Sequence, residues 1–131
     1  MIGYTTVGTN DLQRAMAFYD ALFGSVGISR LLELPSIAAW GVNWDKPMFG
    51  VAKPFDGTQA TPGNGVMIAL GQRTRAKVRT LHAKGLELGG TDEGAPGVRG
   101  LDSSQAFYAA YIRDLDGNKL CFYSVGPGEP E

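Results

Sequence analysis

The sequence predicts an α+β protein made of two βαβββ modules with curled mixed sheets that enclose a groove. In each half of the chain, one strand pattern is followed by one helix pattern and then by three further strand patterns. The turn-rich stretch FDGTQATPGN separates the halves, and 131 residues suit one domain. The predicted domain divides into module one at 1–54, a linker at 55–64, module two at 65–125 and a mobile tail at 126–131.

Module one opens with the β-rich run MIGYTTVG, which predicts the first strand. Asn10 and Asp11 offer N-capping oxygens, and from Leu12 onward apolar residues recur at helical spacing until Gly24 and Gly27. This pattern predicts the first helix. Three short β-rich runs separated by turn-forming residues predict the other strands of the module, at 28–34, 37–43 and 48–54.

Module two repeats this order. The run GVMIAL predicts a strand at 65–70, and RTRAKVRTLHAKG predicts a helix at 73–85 with Thr74 as its N-cap. Three strands and one Gly/Pro-rich loop complete the module: strands at 86–91, 106–114 and 119–124, and the loop at 94–100. The tripeptide DGN at 116–118 signals a hairpin turn, and we expect it to set that turn and nothing more.

Composition and charge narrow the class of protein. Twelve Lys and Arg residues face thirteen Asp and Glu, so the net charge of −1 lacks the basic excess of a duplex-binding protein. No apolar run is long enough for a signal peptide or a membrane span. The one cysteine cannot form an internal disulfide framework. We therefore expect a cytoplasmic protein that binds neither nucleic acid nor a membrane.

Four segments carry a resemblance to a known family: TVGTNDLQRAMAFYDALFG (6–24), GNGVMIAL (63–70), LGGTDEGAPGVRG (88–100) and YAAYIRDLDGNKL (108–120). They resemble the vicinal oxygen chelate superfamily, which includes glyoxalase I, bleomycin-resistance proteins, fosfomycin-resistance enzymes and extradiol dioxygenases. The resemblance is closest to small single-domain glyoxalase-like proteins. It implies a homodimer in which dimerisation completes or lines the grooves.

In metal-dependent members of that superfamily, the ligands come from the inner faces of strands at matching places in the two modules. The resemblance places these positions at Tyr4, near Phe49, at Gly65 and at Cys121. Divalent metal sites in enzymes usually need several converging His or carboxylate ligands, and this chain has a single histidine. We therefore expect no metal and no other cofactor.

The same positions imply a ligand-binding groove between the modules. Its expected lining is apolar, aromatic or small: Tyr4, Trp40, Phe49, Gly65, Met67, Cys121 and Tyr123. The large side chains in this set would suit a flat apolar or aromatic molecule, because aromatic walls stack on such groups. The competing interpretation is that they are ordinary core residues.

No side chain is predicted to be catalytic. We expect His82 to be a half-exposed helix residue, and Glu33 is only a weak candidate for acid–base work. Cys121 is expected to face the groove without a Lys, Arg or His beside it to lower the pKa of its thiol. The basic residues of the second helix flank its apolar stripe, as long cationic side chains commonly do.

Two functions follow from these expectations. The first is a metal-free glyoxalase-like protein that binds a small, largely apolar molecule in the groove. The alternative is a glyoxalase-like lyase or isomerase, or a dioxygenase-related enzyme, acting on a small-molecule substrate. A weaker third interpretation is a dimeric interaction module with no ligand.

Overall fold

The computed structural model describes residues 1–127. It contains eight strands and two helices in the predicted βαβββ–βαβββ order: β1 (Tyr4–Gly8), α1 (Leu12–Gly24), β2 (Ser29–Glu33), β3 (Ile37–Gly41), β4 (Met48–Ala52), β5 (Ile68–Gly71), α2 (Arg75–Glu87), β6 (Thr91–Arg99), β7 (Phe107–Arg113) and β8 (Lys119–Val125). The predicted helix and strand order is confirmed. Neither helix is long and apolar enough to cross a membrane.

Each module contributes one four-stranded mixed sheet. Sheet A has the order β1-β4-β3-β2 and sheet B the order β5-β8-β7-β6. In both sheets the first strand of the module pairs in parallel with its last strand, and the other neighbours are antiparallel. The two sheets therefore have the same topology, which confirms the predicted α+β class and the internal repeat.

The helices begin where the sequence places their caps. The Asp11 carboxylate accepts the amide proton of Arg14, and the Thr74 hydroxyl accepts that of Lys77, so each side chain satisfies a free N–H of the first turn. Helix α1 packs on β2, β3 and β4, and α2 packs on β6, β7 and β8. We call the side of each sheet that carries its helix the helix face, and the other side the open face.

Two boundary predictions in module two are wrong. The strand expected at 86–91 and the loop expected at 94–100 are replaced by the last turn of α2 and by β6, which runs from Thr91 to Arg99. Strand β6 pairs with β7 through two register shifts, at 92–94 and 94–97. Glycine in a strand commonly marks such bulges, so the turn-forming composition misled the prediction.

The strand expected at 65–70 begins only at Ile68. A turn precedes it, in which the Val66 amide donates to the Gly63 carbonyl and both Gly63 and Gly65 have positive φ. Gly65 therefore lies outside the sheet.

The core is continuous across both modules. Tyr19 of α1 lies at its centre, with ring centroids 5.5 Å from Trp40 and 4.9 Å from Phe49. Its hydroxyl donates to Asp114 Oδ2, 2.5 Å away, in the turn between β7 and β8. The core thus joins the helix of module one to the last hairpin of module two.

The DGN turn does more than was expected of it. Asp116 accepts from the Thr9 hydroxyl at 2.6 Å and from the Asn10 amide at 3.0 Å. Asn118 Nδ2 donates to the Gly8 carbonyl at 2.8 Å and to Asp114 at 2.9 Å. The expectation that this tripeptide sets only a turn is wrong, because it also ties module two to the end of β1.

The predicted tail begins at Gly126. The Gly126 amide donates to the Ala106 carbonyl at 2.7 Å, and its carbonyl accepts from Arg75. Residues 128–131 lie outside the described residues.

Candidate functional site

A cleft of about 380 Å³ lies between the two modules. Sheet A supplies one wall through β1, β3 and β4, and β5 supplies the wall from module two. The last turn of α1 contributes Phe23, and the connection from α1 to β2 contributes Val26 and Ile28. The side chains are mainly apolar, and the polar ones that line the cleft are Thr5 and Gln72. None of the lining residues carries a carboxyl, imidazole, thiol or amine group.

Trp40 and Phe49 form part of this cleft. They are cross-strand partners on β3 and β4, and their rings pack against Tyr19 and Phe23 on the helix face of sheet A. Trp40 Nε1 donates to Asp20 Oδ1 at 2.9 Å, which fixes the indole. The two rings therefore belong to the core and line the cleft at the same time.

The Asp20 carboxyl group, which bonds the Trp40 indole, has a lowered pKa. Burial acts to raise the pKa of its carboxyl, but hydrogen bonds from Arg30 and Trp40 outweigh burial and leave that pKa below its ordinary value. Arg30 also pairs with Glu33. Glu33 therefore has a structural partner in the fold, and it does not line the cleft.

Cys121 and Tyr123 lie on the open face of sheet B, because they alternate along β8 with the core residues Leu120 and Phe122. The Tyr123 ring stacks on that of Phe107, with centroids 5.3 Å apart. Neither Cys121 nor Tyr123 lines the cleft between the modules.

The surroundings of Cys121 correct one expectation. Burial raises the pKa of the Cys121 thiol, while a hydrogen bond with Tyr111 and the charges of Arg99 and Lys119 act in the opposite direction. Two cationic side chains therefore lie near this thiol, where none was expected. Arg99 was missed because it lies in the segment that was assigned to a loop, whereas Lys119 precedes Cys121 by two residues in a predicted strand, so its position on the same face was readable from the sequence.

The other predicted lining residues lie elsewhere. Gly65 and Met67 border a hollow next to Arg113 and Lys119, at the edge of sheet B. Tyr4 lies on the open face of sheet A, opposite Met48, and is 64% exposed. The structure thus brings together only Trp40 and Phe49 of the seven predicted residues in the cleft between the modules.

Sequence reasoning missed Ile68 and Leu70, which line the cleft and pack against the core. They alternate with Met67 and Ala69 along the run GVMIAL, so the signal was present. The face with Gly65 and Met67 was chosen because the resemblance placed a ligand position at Gly65, whereas the cleft is lined by the face that carries the two aliphatic residues.

His82 is buried, with 7% of its surface exposed, so the expectation of a half-exposed residue is wrong. Its Nε2 lies 2.9 Å from Asp92 Oδ1. That hydrogen bond, with one from the Gly94 amide, lowers the pKa of Asp92. His82 thus joins α2 to β6 and does not reach the cleft.

The positions that the resemblance assigns to metal ligands do not fit a metal. Tyr4 lies on one sheet and Cys121 on the other, Gly65 has no donor side chain, and the Phe49 ring faces α1. Within residues 1–127 no group of three His, Cys, Asp or Glu side chains could hold a metal ion.

Two equivalent βαβββ modules with a cleft between them define the architecture of the vicinal oxygen chelate superfamily, and comparison with known proteins confirms the resemblance. A glyoxalase/bleomycin resistance protein from Albidiferax ferrireducens T118 is 36% identical, with a TM-score of 0.83 over 95% of this chain and 98% of that one. No family model and no curated protein sequence matches the chain. The chain belongs to the glyoxalase/bleomycin resistance protein family.

More distant structures share the fold alone. A glyoxalase/bleomycin resistance protein/dioxygenase family enzyme from Burkholderia phytofirmans PsJN is 19% identical, with a TM-score of 0.70 over 94% of this chain and 97% of that one. A lactoylglutathione lyase from Agrobacterium tumefaciens is 21% identical, with a TM-score of 0.65 over 95% of this chain and 92% of that one.

Proposed function

We propose that this protein binds a small, largely apolar molecule in the cleft between its modules, without a metal or other cofactor. The observation that supports the proposal is the composition of the cleft wall, where Thr5 and Gln72 are the polar side chains among aromatic and aliphatic ones. A volume of about 380 Å³ is within the range of small-molecule sites, which are mostly apolar with a few polar groups.

Binding is favoured over catalysis because the cleft lacks titratable side chains. General acid–base chemistry needs such a group within hydrogen-bond reach of the reacting atoms. A lyase, isomerase or dioxygenase-related activity remains the alternative function, and it would have to use groups outside the described lining of the cleft.

We also propose that the protein is a cytoplasmic homodimer in which dimerisation completes or lines the grooves. Large apolar side chains of module one are exposed and available to a second copy, including Tyr4 and Trp44, which are 64% and 62% exposed. Sedimentation equilibrium tests this proposal, and a mass of one chain at micromolar concentration contradicts it.

A thermal-shift screen tests ligand binding. A molecule that binds only the folded state at ten times its Kd stabilises it by about 1.4 kcal/mol, which raises Tm by roughly 5 °C for a domain of this size. Thr5→Phe places a ring at the cleft wall, beside its cross-strand partner Phe49, and should abolish the shift. Thr80→Phe, on the exposed side of α2, is the matched control and should retain it.

A second variant, Val42→Asp, keeps the test valid if Thr5→Phe fails to fold. Val42 is 68% exposed at the rim, so a carboxylate there leaves the core intact but disfavours an apolar ligand. If no compound in a broad apolar and aromatic library raises Tm, or if Thr5→Phe responds like wild type, the proposed site is wrong. If no compound in the library raises Tm, the result would favour the third interpretation, a dimeric interaction protein with no ligand.

Elemental analysis of the purified, untagged protein tests the absence of a metal. After incubation with nickel, zinc, manganese or iron and removal of free ions, we expect less than about 0.1 metal per chain, since several converging donors are needed to retain one. A content near one metal per chain would overturn the metal-free proposal and favour the enzyme.

A further inference from the structure

Two cationic side chains converge on one aromatic ring on the open face of sheet B. The guanidinium carbon of Arg99 lies 5.5 Å from the centroid of the Tyr111 ring, and the Nζ of Lys119 lies 5.5 Å from the same centroid. Among the described residues, neither cation forms an ion pair. The neighbouring Arg113, by contrast, is neutralised by Glu93 at 2.6 Å.

The position of Arg99 is built into β6. Its guanidinium donates to the carbonyls of Gly97 at 2.8 Å and Ala95 at 2.7 Å, on its own strand. A Cβ at Gly94 would lie 2.9 Å from the Tyr111 ring and 3.2 Å from Arg99, so the bulged strand leaves just enough room for this arrangement. The two carbonyls orient the guanidinium without neutralising it, and three of its five N–H donors remain for a ligand.

The floor between the cations is apolar. Tyr111 pairs across the strands with Cys121, which is 1% exposed, and burial raises the pKa of the Tyr111 hydroxyl. The charges of both Arg99 and Lys119 act on the Cys121 thiol. The charge of Lys119 also lowers the pKa of Glu93, but that carboxylate is held by Arg113. Arg99 and Lys119 therefore leave a net positive charge over this floor, which attracts an anion.

We propose that this surface is a binding site for a small organic anion, specifically a carboxylate. Arg99 and Lys119 bind the carboxylate group, and the apolar part of the ligand lies against Tyr111 and the stacked pair of Phe107 and Tyr123. Arginine suits this role because its planar fork matches a carboxylate. The site is separate from the apolar cleft, none of whose lining residues belongs to it.

NMR titration of the full-length ¹⁵N-labelled chain at low ionic strength tests the proposal, with benzoate as the probe and neutral benzamide as its matched control. Benzoate should shift the amide signals of Gly94, Gly97, Tyr111 and Cys121 in a saturable way, and benzamide should not. Arg99→Gln and Lys119→Gln should each weaken benzoate binding about tenfold, the effect of losing one charge-assisted hydrogen bond.

Control variants separate a site from general charge attraction. Lys77→Gln removes an exposed cation of α2 and should leave benzoate affinity unchanged. Arg99→Lys keeps the positive charge but lacks the planar guanidinium group. Its affinity for benzoate should therefore lie between those of the wild type and Arg99→Gln. Each variant should first give the wild-type near-ultraviolet circular dichroism spectrum.

Three outcomes would overturn the proposal: no saturable shift at 10 mM benzoate, equal shifts with benzamide, or equal weakening by Lys77→Gln. The proposal would also be overturned if benzoate gave saturable shifts of the amide signals of residues 68–72 and no shift of the signals of β6 and β7. That last result would support ligand binding in the cleft between the modules while rejecting the anion site, so the two proposals fail independently.

Discussion

At the scale of single residues, Cys121 shows how environment decides chemistry. A free thiol reacts as its thiolate, and burial raises the pKa of this one. Two cations nearby act against burial without outweighing it. The residue therefore behaves as a buried small side chain, although cations commonly accompany reactive cysteines.

We expect Cys121 to react slowly with a disulfide reagent at pH 7. The thiolate fraction is below that of an ordinary cysteine because the pKa is raised, and the side chain is covered in the folded state. The rate should rise with pH through and above pH 9, and it should rise by orders of magnitude in denaturant. Arg99→Gln should slow the reaction further, because the charge of Arg99 lowers this pKa. A native rate at pH 7 equal to that of the unfolded chain contradicts the assignment.

Tyr19 links α1 to Asp114, and its removal should be costly. Tyr19→Phe keeps the ring contacts but deletes the hydrogen bond to a buried carboxylate. We expect a loss of about 1–3 kcal/mol in the free energy of unfolding, measured by urea denaturation. Tyr4→Phe is the matched control, since Tyr4 is exposed, and it should change stability by less than about 0.5 kcal/mol. Equal effects of the two changes would show that the Asp114 bond contributes nothing.

The candidate site was predictable only in part at this scale. Phe49 was named because the resemblance places a ligand position near it, and Trp40 because aromatic side chains suit the wall of an apolar groove; both residues line the cleft. The sequence could not show that this face carries the helix as well as the cleft, since periodicity separates the two faces of a strand without identifying which one a ligand meets. Cys121 was expected to face the groove, but it lies on the open face of sheet B and does not line the cleft; Arg99 was missed as its neighbour because it approaches through a bulge.

At the scale of elements, α1 and α2 were predictable because apolar spacing and a capping side chain agree at each helix start. Strand β6 was not, because DEGAPGVR has the composition of a loop. Its pairing with β7 overrides that composition, as tertiary contacts commonly do for strands. At Gly94 the missing side chain lets Tyr111 and Arg99 lie close to the β6 backbone, because a Cβ there would contact both residues.

Two glycines at helix ends should respond oppositely to alanine. A Cβ at Gly90, between α2 and β6, would lie 2.8 Å from the carbonyl oxygens of Gly85 and Arg113, and backbone atoms cannot move aside cheaply. Gly90→Ala should therefore destabilise the protein by about 1–3 kcal/mol. Gly24, at the end of α1, has nothing within 4 Å of its Cβ position, so Gly24→Ala should stabilise by about 0.5–1 kcal/mol. Urea midpoints measure both, and a neutral Gly90→Ala would contradict the packing argument.

At the scale of the whole molecule, the internal repeat does not make two independent units. Tyr19 reaches from module one to Asp114 in module two, and the turn at 116–118 is bonded to the end of β1. The repeat was visible in the sequence as an order of patterns. The hydrogen bonds between the modules were not visible in the sequence, because each joins residues about a hundred positions apart and no local pattern encodes such contacts.

The two modules should therefore unfold in one transition. Trp40 reports on module one by its fluorescence, once the exposed Trp44 is replaced by Phe, and Cys121 reports on module two by its accessibility to a thiol reagent. In urea at one protein concentration the two probes should give the same midpoint, as a two-state transition requires. Asp116→Ala removes the bonds from Thr9 and Asn10 and should lower both midpoints. Separate midpoints in the Trp44→Phe protein would show that the modules fold independently and that the shared core does not couple them.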